Sequence, residues 1–515
     1  MKQNSFIILL TVFALLGTVS CTDLEENILD EQLGVDLPNN PENIEGLISP
    51  PYASLRNTIE WFGYWGLQEV TSDEVIFPTR GSDWFDNGLW QQLHLHTWTP
   101  DHFRMREVWD ALGQGIARAN LAIYYIGQFP QNATTAQYIS EARFLRAYYM
   151  YLITDLYGQV PFREPDELDF KVSPRVMDRK EATDYIISEM MAVMPTLKTK
   201  AEVGSTRATQ GAAQALLAKV YLNYEVYTGE AKWAEAIQAC DALINSGAYQ
   251  VEEDYWVMFQ KFVDENPEFI LRVPMDDAVD MGSGSVWVNF TLHYSQLFGN
   301  YNSMWNGGAT TSTFFETWDM ENDARFYDDR IKPETGFNQG FLVGQQYGVN
   351  GEALKQRDGS PLIFVPELNL LSSPENAGIR VVKFAPNPAS TRTGDFGPND
   401  VPIMRISDVY LMRAEARFRS GNTTGALEDI NYIRERRSAE GKTLPLRTSL
   451  TLDDILDERG YELYWEGFRR QDLIRFDRFT EAWQEKPVTD ESRELFPLPT
   501  AAVDVNENLQ QNPGY

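Results

Sequence analysis

Trp84 stands in a polar stretch punctuated by glycine, Phe77-Pro78-Thr79-Arg80-Gly81-Ser82-Asp83-Trp84-Phe85-Asp86-Asn87-Gly88. A sugar ring offers axial C–H groups on one face and hydroxyls round its edge. Holding it takes an aromatic plane for the face and short polar side chains for the edge. Trp84 with Arg80, Asp83, Asp86 and Asn87 supplies both. The competing reading is a loop pinned by Trp84 as a hydrophobic plug. Trp61 and Trp65 are weaker candidates, because Leu67 and the run after it suggest packing. A second aromatic cluster holds Trp287, Tyr294, Tyr301 and Trp305. Asn300, Asn302 and Asn306 interleave it, and Gly307-Gly308 follow. Arg380, Lys383 and Arg392 are candidate donors from a third region, since a planar guanidinium can bridge two hydroxyls. Trp318 is expected to pack in the core.

Other chemistries find less support. His94-x-His96, with His102 nearby, would bind zinc from one face of a strand. Alternating polar positions explain the pair as well, and no carboxylate adjoins it, so no metal is expected. A structural calcium on the aspartates between Asp319 and Asp329 stays open, although the spacing of an EF-hand loop is absent; no other cofactor is expected. No serine nucleophile elbow or phosphate loop occurs. With 75 Asp+Glu, a chance pair of carboxylates placed for glycoside hydrolysis stays open.

These loops need a scaffold, and the apolar spacing supplies one. Val108, Leu112, Ile116, Ala119 and Ile123 predict a helix over about 104–127. Ala142, Leu145, Tyr149, Leu152 and Leu156 predict another over 136–157, stopped by Gly158 and Pro161. A third is predicted over 179–194. Residues 208–227 and 231–246 form a predicted helical pair, alanine-rich in its first member. Residues 405–419 and 423–437 form a second, and Ala236, Ile237, Cys240 and Leu243 align with Ala426, Leu427, Ile430 and Ile433. Alanine-rich helix, glycine turn, second helix is the pattern of a tetratricopeptide-like unit. Helix returns over 451–480. Residues 61–103 and 252–400 read mostly as loops, with strand-like Phe269 to Val273 and Ile379 to Phe384.

The 515 residues carry 44 Lys+Arg against 75 Asp+Glu, a formal charge of −31. That disfavours nucleic acid and broad anionic surfaces as partners. Lys2 and the apolar run from Phe6 to Leu16 read as a signal peptide over residues 1–20. Thr18-Val19-Ser20-Cys21 resembles a lipobox, so Cys21 is the expected lipidation site and 21–40 the tether. Asp23, Glu25 and Glu26 behind it resemble a surface-export signal. No other stretch has the length of a membrane span. With Cys21 acylated, Cys240 has no disulfide partner and is expected to be a buried small hydrophobe.

Several segments, in order, resemble the SusD/RagB family of outer-membrane nutrient-binding lipoproteins. After the lipobox come Glu141-Ala142-Arg143-Phe144-Leu145-Arg146-Ala147-Tyr148-Tyr149 and Leu156-Tyr157-Gly158-Gln159-Val160-Pro161. Ala213 to Leu222, Val401-Pro402-Ile403-Met404-Arg405 and Asp408 to Ala416 follow. Asp457-Glu458-Arg459-Gly460-Tyr461-Glu462-Leu463, Glu466-Gly467-Phe468-Arg469-Arg470, Phe496-Pro497-Leu498-Pro499 and Gln511-Asn512-Pro513-Gly514-Tyr515 complete the set. The resemblance implies a mostly α fold over 41–515. Four tetratricopeptide-like helix pairs, in about 104–250 and 401–480, would pack against an irregular loop-rich half with few short strands. It implies oligosaccharide binding, or peptide binding as in some members, and no catalysis. It implies a TonB-dependent β-barrel (SusC-like) transporter, on which the protein sits as a hinged lid. It also places ligand contacts in residues 77–88, and a second stacking aromatic in the later cluster, with Tyr301 and Trp305 favoured. The full expected contact set is Trp84, Asp83, Arg80, Asn87, Trp65, Tyr301, Trp305 and Arg380. Arg143, Arg146, Arg469 and Arg470 are expected to be scaffold, paired with acidic residues near helix ends. A glycan-capturing lipoprotein on the outer membrane, facing the cell exterior, is the leading expectation; a peptide binder and a glycoside hydrolase are the alternatives.

Overall fold

Local rules set several of the helix ends. In the computed structural model, which describes residues 43–169, 171–275, 287–390 and 399–515, helix α1 spans Asn43–Ala53 and α2 Tyr64–Glu69. Helix α3 is Leu89–Leu95, α4 Phe103–Ile126 and α5 Ala133–Tyr157. Asn132 caps α5 by accepting from the N–H groups of Thr134 and Thr135, while Thr135 accepts from Asn132 in return. Such a box satisfies donors that the first helical turn leaves open. Gly158 ends α5 at φ 73°, a left-handed position where a side chain is strained. Helix α6 is Arg179–Val193, capped by Asp178, and α7 is Gln210–Leu222, capped by Thr209. Then come α8 (Trp233–Asn245), α9 (Ile406–Arg419), α10 (Thr423–Arg436), α11 (Leu452–Leu463) and α12 (Arg469–Arg475).

The long helices pack as α4 on α5, α7 on α8 and α9 on α10, with α8 also on α9 and α6 on α5. The fold is mostly helical, as the sequence implied. From Ala142 to Tyr157 helix α5 buries all but Arg143, which makes it a central element rather than a surface helix. Cys240 is fully buried, and burial pushes its thiol up. The signal peptide, Cys21, the tether and Arg392 lie outside the described residues. Among the described residues no helix is long and apolar enough to cross a membrane.

Strands are short. Phe269–Val273 pairs antiparallel with Val401–Arg405, and Gln339–Leu342 lies between Tyr327–Asp328 and Arg380–Val382. Single bridges do much of the joining in the loop-rich half. Ile76 exchanges both backbone hydrogen bonds with Ala309 at 2.9 Å, and the Thr310 N–H donates to Ile379 O at 2.9 Å. Thr79 is tied to Leu370 and Ser373. These bonds bring three distant loop segments to one place.

The arginines of the family segments are all paired. Arg143 and Arg146 meet Glu189 at 2.6 and 3.0 Å, Arg469 meets Asp73 at 2.7 Å and Arg470 meets Asp155 at 3.3 Å. A larger buried lattice joins Arg325, Arg405 and Arg437 to Glu268, Glu458, Glu462 and Glu466.

One buried acidic pair opposes it. Glu69 and Glu74 are both interior; Glu69 accepts the Gly467 N–H and Glu74 the Trp465 N–H, so the pair clamps the turn after α11. Burial pushes the Glu69 carboxyl up to about 7 despite the Glu74 hydrogen bond, the Gly467 N–H, Lys383 and Arg469. Burial and Glu69 raise Glu74 well above the usual range. A raised carboxyl contributes stability below its ordinary value, about 4.5, that is lost as pH rises through about 7. Urea titrations from pH 5 to 8 are therefore expected to show the parent losing stability relative to Glu74→Gln. Parallel curves would show that the pair does not titrate in this window.

Candidate functional site

The loop 80–88 is built on left-handed backbone. Gly81, Trp84, Asp86, Asn87 and Gly88 have φ of 64°, 64°, 43°, 56° and 80°. Arg80 and Asp83 exchange backbone hydrogen bonds at 2.9 and 3.0 Å, closing a tight turn that projects Trp84. Non-glycine residues in this region are held there only when surroundings dictate it. Here the Trp84 indole N–H donates to Trp305 O at 2.7 Å, Gln91 donates to Trp84 O at 3.1 Å and the Trp90 N–H donates to Asp86 at 2.7 Å.

Trp84 is half-buried. One side packs on Phe77 (centroids 5.1 Å apart), Trp61 (5.9 Å) and the backbone of Gly307. Trp305 is also half-buried and lies 5.9 Å from Trp61. Beneath them Trp90 stacks on Phe77 and Trp61 at 4.7 and 5.3 Å. The two readings of Trp84 thus combine: the ring is anchored, and part of it still reaches the surface. Phe85 beside it is 53% exposed.

A polar rim adjoins these rings. The Tyr294 hydroxyl donates to Asp83 at 2.5 Å, and the Arg357 guanidinium lies over the Tyr294 ring at 4.2 Å. Arg357 also binds Glu375 and lies 3.7 Å from Asp83. His293 meets Glu375 at 3.0 Å; burial lowers its imidazole to about 4, so it is neutral at pH 7. Burial pushes Glu375 up, but the N–H groups of Arg357 outweigh this and hold it below the usual range. Asn87 is exposed on the same loop.

Four residues of the expected set lie in the interior instead. Trp65 is 2% exposed and its N–H donates to Trp465 O at 2.9 Å. Tyr301 is buried and stacks on Phe298 at 4.7 Å. Arg80 donates to the carbonyls of Pro374, Ala377 and Gly307, and burial lowers it to about 9. Arg380 donates to the carbonyls of Glu375, Ala377 and Gly378 and to the Asn306 side chain. The two arginines staple the 374–378 turn to the 306–307 segment, behind the rim. Their bonds go to carbonyls rather than carboxylates, so no charged partner in the sequence betrays them. Lys383 is likewise buried, on Glu466 and Tyr464 O. His94 and His96 lie at the end of helix α3 rather than in a strand, and among the described residues no cluster could hold a metal ion.

Sequence reading passed over Tyr294 in favour of its neighbours and missed Arg357 and Glu375. Arg357 sits in Gln-Arg-Asp-Gly-Ser, which reads only as a turn. Arg357→Ala is expected to weaken ligand binding by about 0.5–1.5 kcal/mol, the value of a surface hydrogen bond or two. Its side chain is 60% exposed, so stability should change by less than about 1 kcal/mol. Calorimetry beside thermal melts separates the two effects.

Comparison with known proteins agrees with this architecture. The SusD family profile matches residues 257–515, and a profile described as starch-binding, associating with outer membrane, matches residues 68–222. The chain belongs to the SusD family. It is 26% identical over 494 residues to the starch-binding protein SusD of Bacteroides thetaiotaomicron, covering 87% of this chain and 84% of that one. A laminarin-binding SusD-like protein superposes with a TM-score of 0.72 at 22% identity, covering 92% of this chain and 100% of the other. Surface glycan-binding protein A from Bacteroides thetaiotaomicron, in complex with laminarihexaose, superposes at 0.68 and 18% identity, covering 92% and 99%.

Proposed function

We propose that this protein is a non-catalytic glycan-binding lipoprotein of the outer membrane, anchored through Cys21 and facing outward. It captures oligosaccharides and passes them to a TonB-dependent β-barrel transporter. The observation that carries the reading is the half-exposed Trp84 beside Trp305, rimmed by Asp83, Tyr294, Arg357 and Glu375. The rings take the C–H face of a sugar and the rim its hydroxyls. Relatives named for starch and laminarin supply the ligand class, and the lipobox supplies the anchor. A hydrolase needs a carboxyl held protonated as general acid. Glu375 is held ionised by Arg357, which suits binding rather than bond cleavage.

Affinity electrophoresis against a panel of polysaccharides, with product analysis on the same samples, tests the reading. Retardation without released sugars is expected, with Kd in the micromolar range, about −8 kcal/mol. Released oligosaccharides would overturn the non-catalytic assignment. No retardation by any polysaccharide, with binding of peptides instead, would move the ligand class.

A further inference from the structure

A second cavity of about 380 Å³ lies away from the aromatic loop and shares no lining residue with it. The turn Ala439 to Lys442, closed by two backbone hydrogen bonds at 2.8 and 2.9 Å, forms one wall. Tyr327 forms another and is 40% exposed. Lys442 Nζ lies 4.1 Å from the Tyr327 ring centre, is shielded from solvent and has no hydrogen-bond partner. An ammonium with three donors and no acceptor is costly, and a ligand that accepts from it recovers that cost. The cavity lies within the volume range of small-ligand sites, ~300–1,000 Å³.

The lining selects the ligand by charge. Glu253, Asp254, Asp328, Asp329 and Glu440 line the cavity with Arg330, Arg437 and Lys442. Arg330 is held by Asp254 and Asp328, Arg437 by Glu268 and Glu462, and Arg436 and Lys332 from outside the lining pair with Glu253 and Asp329, which leaves one negative charge in excess. An anion meets excess negative charge, and a cation meets the buried ammonium. A neutral polyhydroxyl ring fits both: its oxygens accept from Lys442 and its hydroxyls donate to Asp329 and Glu440 at the mouth.

We propose that this cavity is a second, weaker site for a neutral sugar unit, with Tyr327 as the stacking face and Lys442 as the donor. The proposal rests on the glycan-binding reading and extends it to a separate place on the molecule.

Calorimetry of the protein with laminarihexaose and with maltohexaose tests it, using the parent, Trp84→Ala, Tyr327→Ala and Lys442→Met. Lys442→Met keeps the stem over Tyr327 and removes the ammonium. Two classes of site are expected for a hexasaccharide that binds. Tyr327→Ala and Lys442→Met should weaken the second class about tenfold and leave the first; Trp84→Ala should do the reverse. Glucuronic acid should not compete at the second class. One class only, unaltered by Tyr327→Ala and Lys442→Met but lost in Trp84→Ala, overturns the second site and leaves the first. Binding that survives Trp84→Ala and vanishes in Tyr327→Ala overturns the assignment of the aromatic loop instead. No binding of either hexasaccharide by the parent overturns the second site for these neutral sugars.

Discussion

Trp84→Ala is expected to raise the Kd for the glycan at least about tenfold, or roughly 1.4 kcal/mol. The ring presents its free part to solvent, while Phe77, Trp61 and Gly307 fix its position. Removal also deletes packed surface. A fully buried tryptophan costs about 3–5 kcal/mol on truncation to alanine, and a half-buried one should cost about 2. Loss of binding must therefore be read on protein shown to be folded. Two companions separate the causes. Trp84→Phe keeps an aromatic face but loses the N–H to Trp305 O and part of the ring surface, so binding should fall less than in Trp84→Ala. Gly307→Ala keeps Trp84 but places a Cβ 2.3 Å from its ring, so the indole must move and binding should fall. Unchanged Kd in Trp84→Ala, with intact fold, would remove Trp84 from the site.

The scaffold was legible in the sequence because its signals are local. Helix α5 announces itself by apolar spacing and Gly158 marks its end; the Asn132 cap starts it at Ala133, ahead of the 136 that the spacing alone gives. The pairs α7–α8 and α9–α10 carry alanine faces and glycine turns within about forty residues. Arg143, Arg146, Arg469 and Arg470 could be assigned to ion pairs from their place in helical family segments, although the acids they meet, Glu189, Asp73 and Asp155, lie outside those segments. The site was legible only in part. Trp65, Trp84 and Trp90 stand in similar aromatic and polar company, and their fates are decided far away: Trp65 bonds to a carbonyl 400 residues on. Arg80 and Arg380 have the polar neighbours expected of ligand donors, yet carbonyls of one distant turn consume them. Conversely Arg357 and Glu375 reach the rim through pairings between loops that no periodicity encodes. Exposure in a loop-rich half is a tertiary property, so composition nominates the region and contacts choose the residues.

Glu462→Ala should be the most damaging single substitution in the scaffold. Glu462 is fully buried and meets Arg325 at 3.0 Å, Arg437 at 2.6 Å and Arg405. Arg405 and Arg437 keep Glu268, and Arg325 keeps Asp323 and Glu458, but the lattice loses the carboxylate that joins all three. Removing one partner of a buried pair costs about 3–5 kcal/mol, because the charge left behind has lost its water as well as its partner. Urea denaturation should show this as a shifted midpoint with unchanged slope; Glu462→Gln, which keeps hydrogen bonds and loses charge, should fall between. Burial pushes the Glu462 carboxyl up, but Arg437 and Arg405 outweigh it and hold it well below the ordinary range. A depressed carboxyl contributes stability above its ordinary value, about 4.5, that is lost as pH falls toward the folded value. This is the opposite sign to the Glu69–Glu74 clamp. The acid limb of the stability profile should therefore flatten in Glu462→Gln, and the limb above about pH 5 should flatten in Glu74→Gln. An acid limb as steep in Glu462→Gln as in the parent would place the acid sensitivity in other carboxylates of the scaffold, such as Asp408, which Lys219 and Arg459 hold ionised against burial.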